Sequence, residues 1–219
     1  MELDFMRIVP SIPFILKGIQ VTLQIVALAA ILGFILGVFL ALFKVSKVKP
    51  LMWLADFYTS IFRGTPLVLQ LMIIFYGSPQ LIGYQIDGYT AAVLSFGLNS
   101  AAYISEIIRA GIQAVDKGQM EAATALGIPY KKTMKDLIIP QAMKNILPAL
   151  MNEFITLTKE SAIVTVIGVT DIMRRTYIVG SDLYSFFEPM LFAGLIYYVL
   201  VMILTFAGKA VERKLSAHD

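Results

Sequence analysis

The chain contains no cysteine, so disulfides, thiolate nucleophiles and cysteine-ligated metal sites are excluded. It has one histidine, His218, close to the C-terminal end. Histidine-based metal centres and Ser-His catalytic pairs therefore cannot be assembled from it, and no metal site or catalytic residue is expected. Charge is also scarce: Asp, Glu, Lys and Arg make up 15% of the 219 residues, while 58% are hydrophobic. A soluble domain carries about a quarter charged residues. This composition describes an integral membrane protein, and the length describes a single domain, 1–219. The net charge of +3 is modest, and no nucleic-acid partner is expected. No cleaved leader is expected either, because Glu2, Asp4 and Arg7 open the chain and no small-residue cleavage site follows a short apolar core.

What is abundant is long uncharged sequence. A helix needs about 20 apolar residues to cross the hydrocarbon core. Residues 18–43, between Lys17 and Lys44, meet that requirement as span one. Residues 64–86 are uncharged and extend back to near Leu51 as span two. Residues 88–105 make span three, 146–168 span four and 189–208 span five. Ser185 and Glu188 stand at capping-box spacing before the last, with Pro189 in its first turn. The chain thus reads as an all-α protein of five transmembrane helices.

Basic residues orient it. Lys44, Lys47 and Lys49 follow span one. Arg109, Lys117, Lys131, Lys132, Lys135 and Lys144 follow span three, and Lys209, Arg213 and Lys214 follow span five. The connection after span two has no Lys or Arg. The positive-inside rule then places the N-terminus outside, the C-terminus inside, and the long connection of about 118–144 in the cytoplasm.

That connection has internal order. Gly118 reads as a helix stop. Gln119–Leu126 reads as a short helix, Gly127-Ile128-Pro129 as a break, and Lys131–Ile138 as a second short helix ending before Pro140. An amphipathic helix resting on anionic headgroups would explain Lys131, Lys132 and Lys135 but not the glycine break. The run Gly127–Thr133 is no phosphate loop. It lacks the second glycine before Lys-Thr, and Pro129 removes an N–H that a phosphate cradle needs. No nucleotide site is expected in this chain.

The connection reads Glu121-Ala122-Ala123, then Gly127, then Leu137-Ile138-Ile139-Pro140. This pattern resembles the EAA loop of the transmembrane subunits of bacterial ABC importers, with Leu for Ile and Ile for Leu at two apolar positions. The resemblance implies coupling helices that dock on a separate ABC ATPase dimer. Glu121, Ala122, Ala123, Gly127 and Pro140 would be the docking and coupling residues, and ATP and magnesium would be bound by that partner. Phe62-Arg63-Gly64-Thr65-Pro66-Leu67, Tyr103-Ile104-Ser105-Glu106-Ile107-Ile108-Arg109 and Gly118-Gln119 resemble stretches of the histidine, glutamine and arginine uptake group. Together these matches cover residues 15–170 with few breaks. The resemblance further implies a multi-pass permease of the bacterial cytoplasmic membrane that is not itself an enzyme. It implies a second permease subunit (a homodimer is favoured) and an extracytoplasmic solute-binding protein.

Ionisable groups inside a span are costly and mark function by default. In span four, Glu153, Thr156 and Glu160 share one helical face, with Asn152 beside them. Two carboxylates facing one cavity suit the cationic group of a polar, basic amino acid. A structural pairing of Glu160 with Lys159 or Arg63 is the bland reading. In span three, Ser95, Asn99, Tyr103 and Glu106 form a polar stripe, open equally to interhelical hydrogen bonding. Glu106 and Arg109 read as an ion pair. In span two, Pro66 removes the backbone bond to Phe62, and Gly64 adds freedom. Gly64, Thr65 and Asn99 are therefore candidates for holding the solute's carboxylate. Gly33 and Gly37 form a weak GxxxG packing signal. The competing function is an ion-coupled secondary amino-acid carrier using the intramembrane glutamates, which leaves the cytoplasmic pattern unexplained.

Overall fold

The computed structural model describes residues 4–46 and 48–216; Glu2, Lys47 and His218, used above, lie outside them. Helix starts almost at once. The Asp4 carboxylate accepts the Met6 N–H at 3.0 Å and opens a 3-10 helix, Phe5–Ser11. It leads into α1 (Ile12–Leu16) and α2 (Gly18–Val45). Then follow α3 (Lys49–Gly64), α4 (Leu67–Ile82), α5 (Gly88–Gln113), α6 (Lys117–Ala125), α7 (Tyr130–Thr133) and α8 (Ile139–Glu160). A π-helical turn, Met134–Ile138, joins α7 to α8, and a 3-10 helix, Ser161–Ile167, follows α8. The order closes with α9 (Ile172–Leu183) and α10 (Phe187–Ser216). No strand occurs among the described residues.

The central relationship is α2 against α5. A Cβ on Gly33 would lie 2.9 Å from Ser100 Cβ, one on Gly37 2.7 Å from Ile104 Cγ2, and one on Gly97 2.6 Å from Leu32 Cδ2. Small residues let the two backbones approach where lipid supplies no hydrophobic drive. The GxxxG pair is thus a real seam. Ile25, Val26 and Ala29 of α2 pack with Ala91, Ala92 and Phe96 of α5 and with Leu71, Leu157 and Val164 to form the main core. A second core of Ile15, Ile172, Val179, Ala193 and Ile196 joins α1, α9 and α10. Meanwhile Ile31, Phe34, Ile35 and Phe39 on α2, and Leu195, Tyr198, Ile203 and Phe206 on α10, are exposed. Such bands suit a bilayer or a neighbouring subunit, not water.

Three described segments are long and apolar enough to cross a membrane: Phe5–Val45, Gly88–Gln113 and Phe187–Ala210. Span two is not one crossing rod. It is the pair α3 and α4, bent by 101° at the Gly64–Pro66 break. Span four also differs from the uniform stretch expected. Its α-helix stops at Glu160 and tightens into the 3-10 helix, which ends at Gly168 with φ 80. Helix α9, Ile172–Leu183, lies outside every long uncharged run. Its cap is readable in retrospect: the Asp171 carboxylate accepts the Arg174 N–H at 2.8 Å.

Candidate functional site: the coupling hairpin and the intramembrane polar groups

The hairpin of α6 and α7 is built by its caps. α5 ends at Gln113, three residues short of the Asp116 carboxylate, which accepts the Gly118 N–H at 2.7 Å and opens α6. Gly118 therefore lies in the first turn of a helix, correcting the expectation that it stops one. At the other end the Ile128 N–H donates to Ala123 O at 2.9 Å and the Gly127 N–H to Thr124 O at 3.0 Å. This is a Schellman closure, and Gly127 takes the left-handed φ of 70 that it requires. Nothing lies within 4 Å of a Cβ built there, so within this chain the glycine answers to backbone conformation alone.

The second helix does not end before Pro140. α7, the π turn and α8 run on without a gap. The Ile139 N–H reaches back to Met134 O, a wide i−5 bond that lets the helix pass Pro140, which has no N–H to give. Ala123, Thr133 and Ile138 are buried, while Glu121, Ala122, Leu126, Gly127, Tyr130 and Pro140 are exposed. The buried set holds the hairpin together, and the exposed set forms the face it offers outward.

The membrane-embedded candidates fall into two groups. Ser100 Oγ donates to Glu153 Oε1 at 2.9 Å, bridging α5 and α8. Both residues line a cavity of about 420 Å³ with Ala27, Ile31, Phe34 and Leu150. Glu153, Thr156 and Glu160 are half-buried, and Asn152 and Lys159 are exposed. The α-helix carries Glu153 through Glu160, so these two residues share one face, two turns apart.

The second group closes the α3–α4 break. Gln70 Nε2 donates to Phe62 O at 2.9 Å, Thr65 O at 3.1 Å and Thr65 Oγ1 at 2.8 Å. Asn99 Nδ2 donates to Phe62 O and to Gln70 Oε1, each at 3.0 Å. The Thr65 hydroxyl donates to Ile61 O at 2.8 Å. Gly64 and Thr65 are exposed, whereas Asn99 and Gln70 are buried. The Phe62 carbonyl that Pro66 leaves without an N–H is thus satisfied twice by side-chain amides.

Gln70 and Ser100 were missed as site residues. Gln70 is the first amide of the uncharged run and stands four residues after Pro66, and that spacing was the available signal. Arg63 does not pair with Glu160. It lies 3.8 Å from Glu106 and over the Tyr103 ring, 5.4 Å from its centre. The Glu106–Arg109 ion pair is present at 2.6 Å.

Comparison with known proteins agrees with this architecture. Residues 33–217 match the family described as "Binding-protein-dependent transport system inner membrane component". The arginine transport system permease protein ArtQ of Bacillus subtilis (strain 168) is 65% identical over 219 residues, with all of both chains covered. A putative glutamine transport system permease protein GlnP of Rickettsia bellii (strain RML369-C) is 53% identical, covering 94% of each chain. Among solved structures, "Crystal structure of an amino acid ABC transporter with histidines" aligns at TM-score 0.93 and 45% identity, over 98% of this chain and 100% of that one. The inward-facing MetNI methionine ABC transporter shares the fold at TM-score 0.77 and 20% identity, over 94% of this chain and 98% of that one. With its all-helical architecture, the chain belongs to the inner membrane components of binding-protein-dependent transport systems, as a multi-pass amino-acid ABC permease subunit rather than an enzyme.

Proposed function

We propose that this permease imports a basic L-amino acid, with the Glu153 carboxylate as the main cation-selecting group. Its observed setting carries the reading: a half-buried carboxylate on an apolar cavity wall, engaged by the Ser100 hydroxyl. A carboxylate has about four acceptor sites. One neutral hydroxyl leaves room for a guanidinium or ammonium, whose charge-assisted bonds are about twice as strong as neutral ones. Glu160, Thr156 and Asn152 extend the same helix toward that group. Gly64, Thr65 and Asn99 are proposed to receive the solute's backbone groups where α3 meets α4. The description of the Bacillus relative by arginine supports this selectivity. The Rickettsia relative is described by glutamine, so neutral polar solutes are the competitor to test.

In this reading α8 with its 3-10 extension is the fourth of five spans, and the bent α3–α4 pair counts as one. The N-terminus lies outside, and the hairpin of α6 and α7 is cytoplasmic. A second copy of the chain completes the pathway, and each copy holds its own solute. An ABC ATPase dimer binds ATP and magnesium and grips the exposed face containing Glu121, Ala122 and Gly127. A binding protein delivers solute from outside. ATPase closure pushes the hairpin, and α5 and α8, joined to its two ends, turn.

The deciding measurement is uptake of labelled arginine, lysine, histidine and glutamine into vesicles holding the permease, with and without its ATPase. Saturable uptake of the basic solutes that requires the ATPase is the expected result. Uptake that persists without the ATPase and follows a proton or sodium gradient would return the carrier reading.

A further inference from the structure

Lys44 ends the long uncharged run of α2, yet its side chain is only 3% exposed. All three ammonium hydrogens have an acceptor. Nζ donates to Asp56 Oδ1 at 2.6 Å and to Thr59 Oγ1 at 2.9 Å, both on α3, and it lies 2.7 Å from Glu106 Oε1 on α5. Glu106 passes the contact on. Its Oε2 accepts from Arg109 Nη2 at 2.6 Å and Nε at 3.1 Å, and Arg109 Nη1 donates to Gln113 Oε1 at 2.8 Å. Gln113 is the last residue of α5, three before the Asp116 that caps α6. A continuous chain of charged and amide groups therefore runs from α3, through the tip of α2, to the root of the coupling hairpin.

α3 also touches α5 directly. Tyr58 Oη donates to Leu98 O at 2.8 Å, and Asn99 holds the Phe62 carbonyl at the break. α3 is thus fastened to α5 directly at Leu98 and Asn99 and, through Lys44 of α2, at Glu106. Arg63, the last basic residue of α3, makes the loosest contact of the set, at 3.8 Å from Glu106 and 46% exposed.

We infer that the Lys44–Glu106 contact is the link that makes α3, and with it the α3–α4 break, follow α5 when the coupling hairpin is displaced. Without the link α3 is held to α5 only by the Tyr58 and Asn99 bonds, and ATP would be hydrolysed with less movement of the break where solute groups are held. Lys44 and Glu106 are positioning residues here, since neither touches solute or nucleotide. The inference rests on the importer reading proposed above.

Its test uses the permease reconstituted with its ATPase and binding protein, reading solute taken up per ATP hydrolysed. Lys44→Met alone leaves Glu106 and Asp56 without their buried cation and can fail to assemble. The Lys44→Met/Glu106→Gln double variant keeps both shapes and removes both charges, which buried pairs often tolerate. The double variant should assemble, hydrolyse ATP and keep its half-saturating solute concentration, while uptake per ATP falls about tenfold, within the range of coupling contacts. Normal uptake per ATP in the double variant would overturn the inference. A drop in uptake that merely tracks the amount of assembled complex would overturn it too, by assigning the pair to folding alone. Absence of ATP-dependent uptake by the unaltered complex would instead fail the importer reading.

Discussion

Asn99 on α5 and Gln70 on α4 are joined by a hydrogen bond of 3.0 Å across the break that Pro66 makes, and both also reach the Phe62 carbonyl that the proline leaves unserved. Two amides separated by 29 positions in sequence thus replace one missing backbone bond. Removing either leaves its buried partner short of a hydrogen bond, at a cost of about 1–3 kcal/mol. Gln70→Leu should lower the thermal unfolding midpoint in detergent, and Thr65→Val should lower it less, because Thr65 is exposed. Thr65→Val should also raise the half-saturating solute concentration; an unchanged value would show that the hydroxyl serves the break rather than solute.

Gly127 tests the hairpin. Its φ of 70 is costly for any residue with a Cβ, by about 1–2 kcal/mol. Gly127→Ala should weaken coupled uptake modestly and Gly127→Val severely, with the protein still inserted in the membrane. ATPase-dependent uptake at the unaltered rate in Gly127→Val would remove the hairpin from the coupling path.

Glu153→Gln keeps shape and removes charge. Arginine and lysine uptake should fall more than glutamine uptake, by roughly tenfold for the loss of one charge-assisted bond. Parallel loss for charged and neutral solutes would make Glu153 a brace between α5 and α8, held by Ser100.

The seam of α2 and α5 sets a steric prediction. A Cβ on Gly37 meets Ile104 Cγ2 at 2.7 Å and Ala101 O at 3.1 Å. Gly37→Leu should cost about 1–3 kcal/mol by forcing the helices apart. Gly77→Leu is the control, because a Cβ there finds its nearest neighbour at 3.8 Å. Equal destabilisation by the two would refute a seam-specific effect.

Asp87 supplies a pH dependence on the N-terminal cap of α5. Thr90 donates to it twice, from its hydroxyl at 2.6 Å and its N–H at 2.9 Å, and these bonds hold the carboxyl below its ordinary value. A lowered folded-state pKa gives stability that is present above the unfolded value of about 4 and is lost as pH falls through the folded one. Asp87→Asn should keep most of the cap and abolish this acid dependence. Asp87→Ala should cost about 1 kcal/mol at neutral pH. An unchanged acid unfolding profile in Asp87→Asn would refute the assignment.

Much of this was legible in the sequence because membranes simplify reading. Uncharged length marked α2, α5 and α10, and the glycine break of the hairpin stood out between them. What stayed hidden depended on geometry between distant positions. Lys44 read as a cytoplasmic flank charge, because nothing local says that Asp56 and Glu106 converge on it. The π turn was hidden because Pro140 ordinarily argues for a helix start, and only a shifted hydrogen-bond register lets the helix continue through it. α9 was overlooked because it is amphipathic and short, lacking the apolar length that revealed the others.

The π turn at Met134–Ile138 has a consequence of its own. Such a turn amounts to one residue more than an α-helix would use over the same rise. Deleting a single residue there would let the helix regularise with α7 keeping its aim, whereas the same deletion in the regular part of α8 would swing α7 about 100° around the axis, one residue's worth of rotation. The aim of the hairpin is thus governed by a count of residues as much as by their identity. Substitutions in this turn adjust a contact, but a one-residue deletion in the regular helix beyond it redirects the whole hairpin.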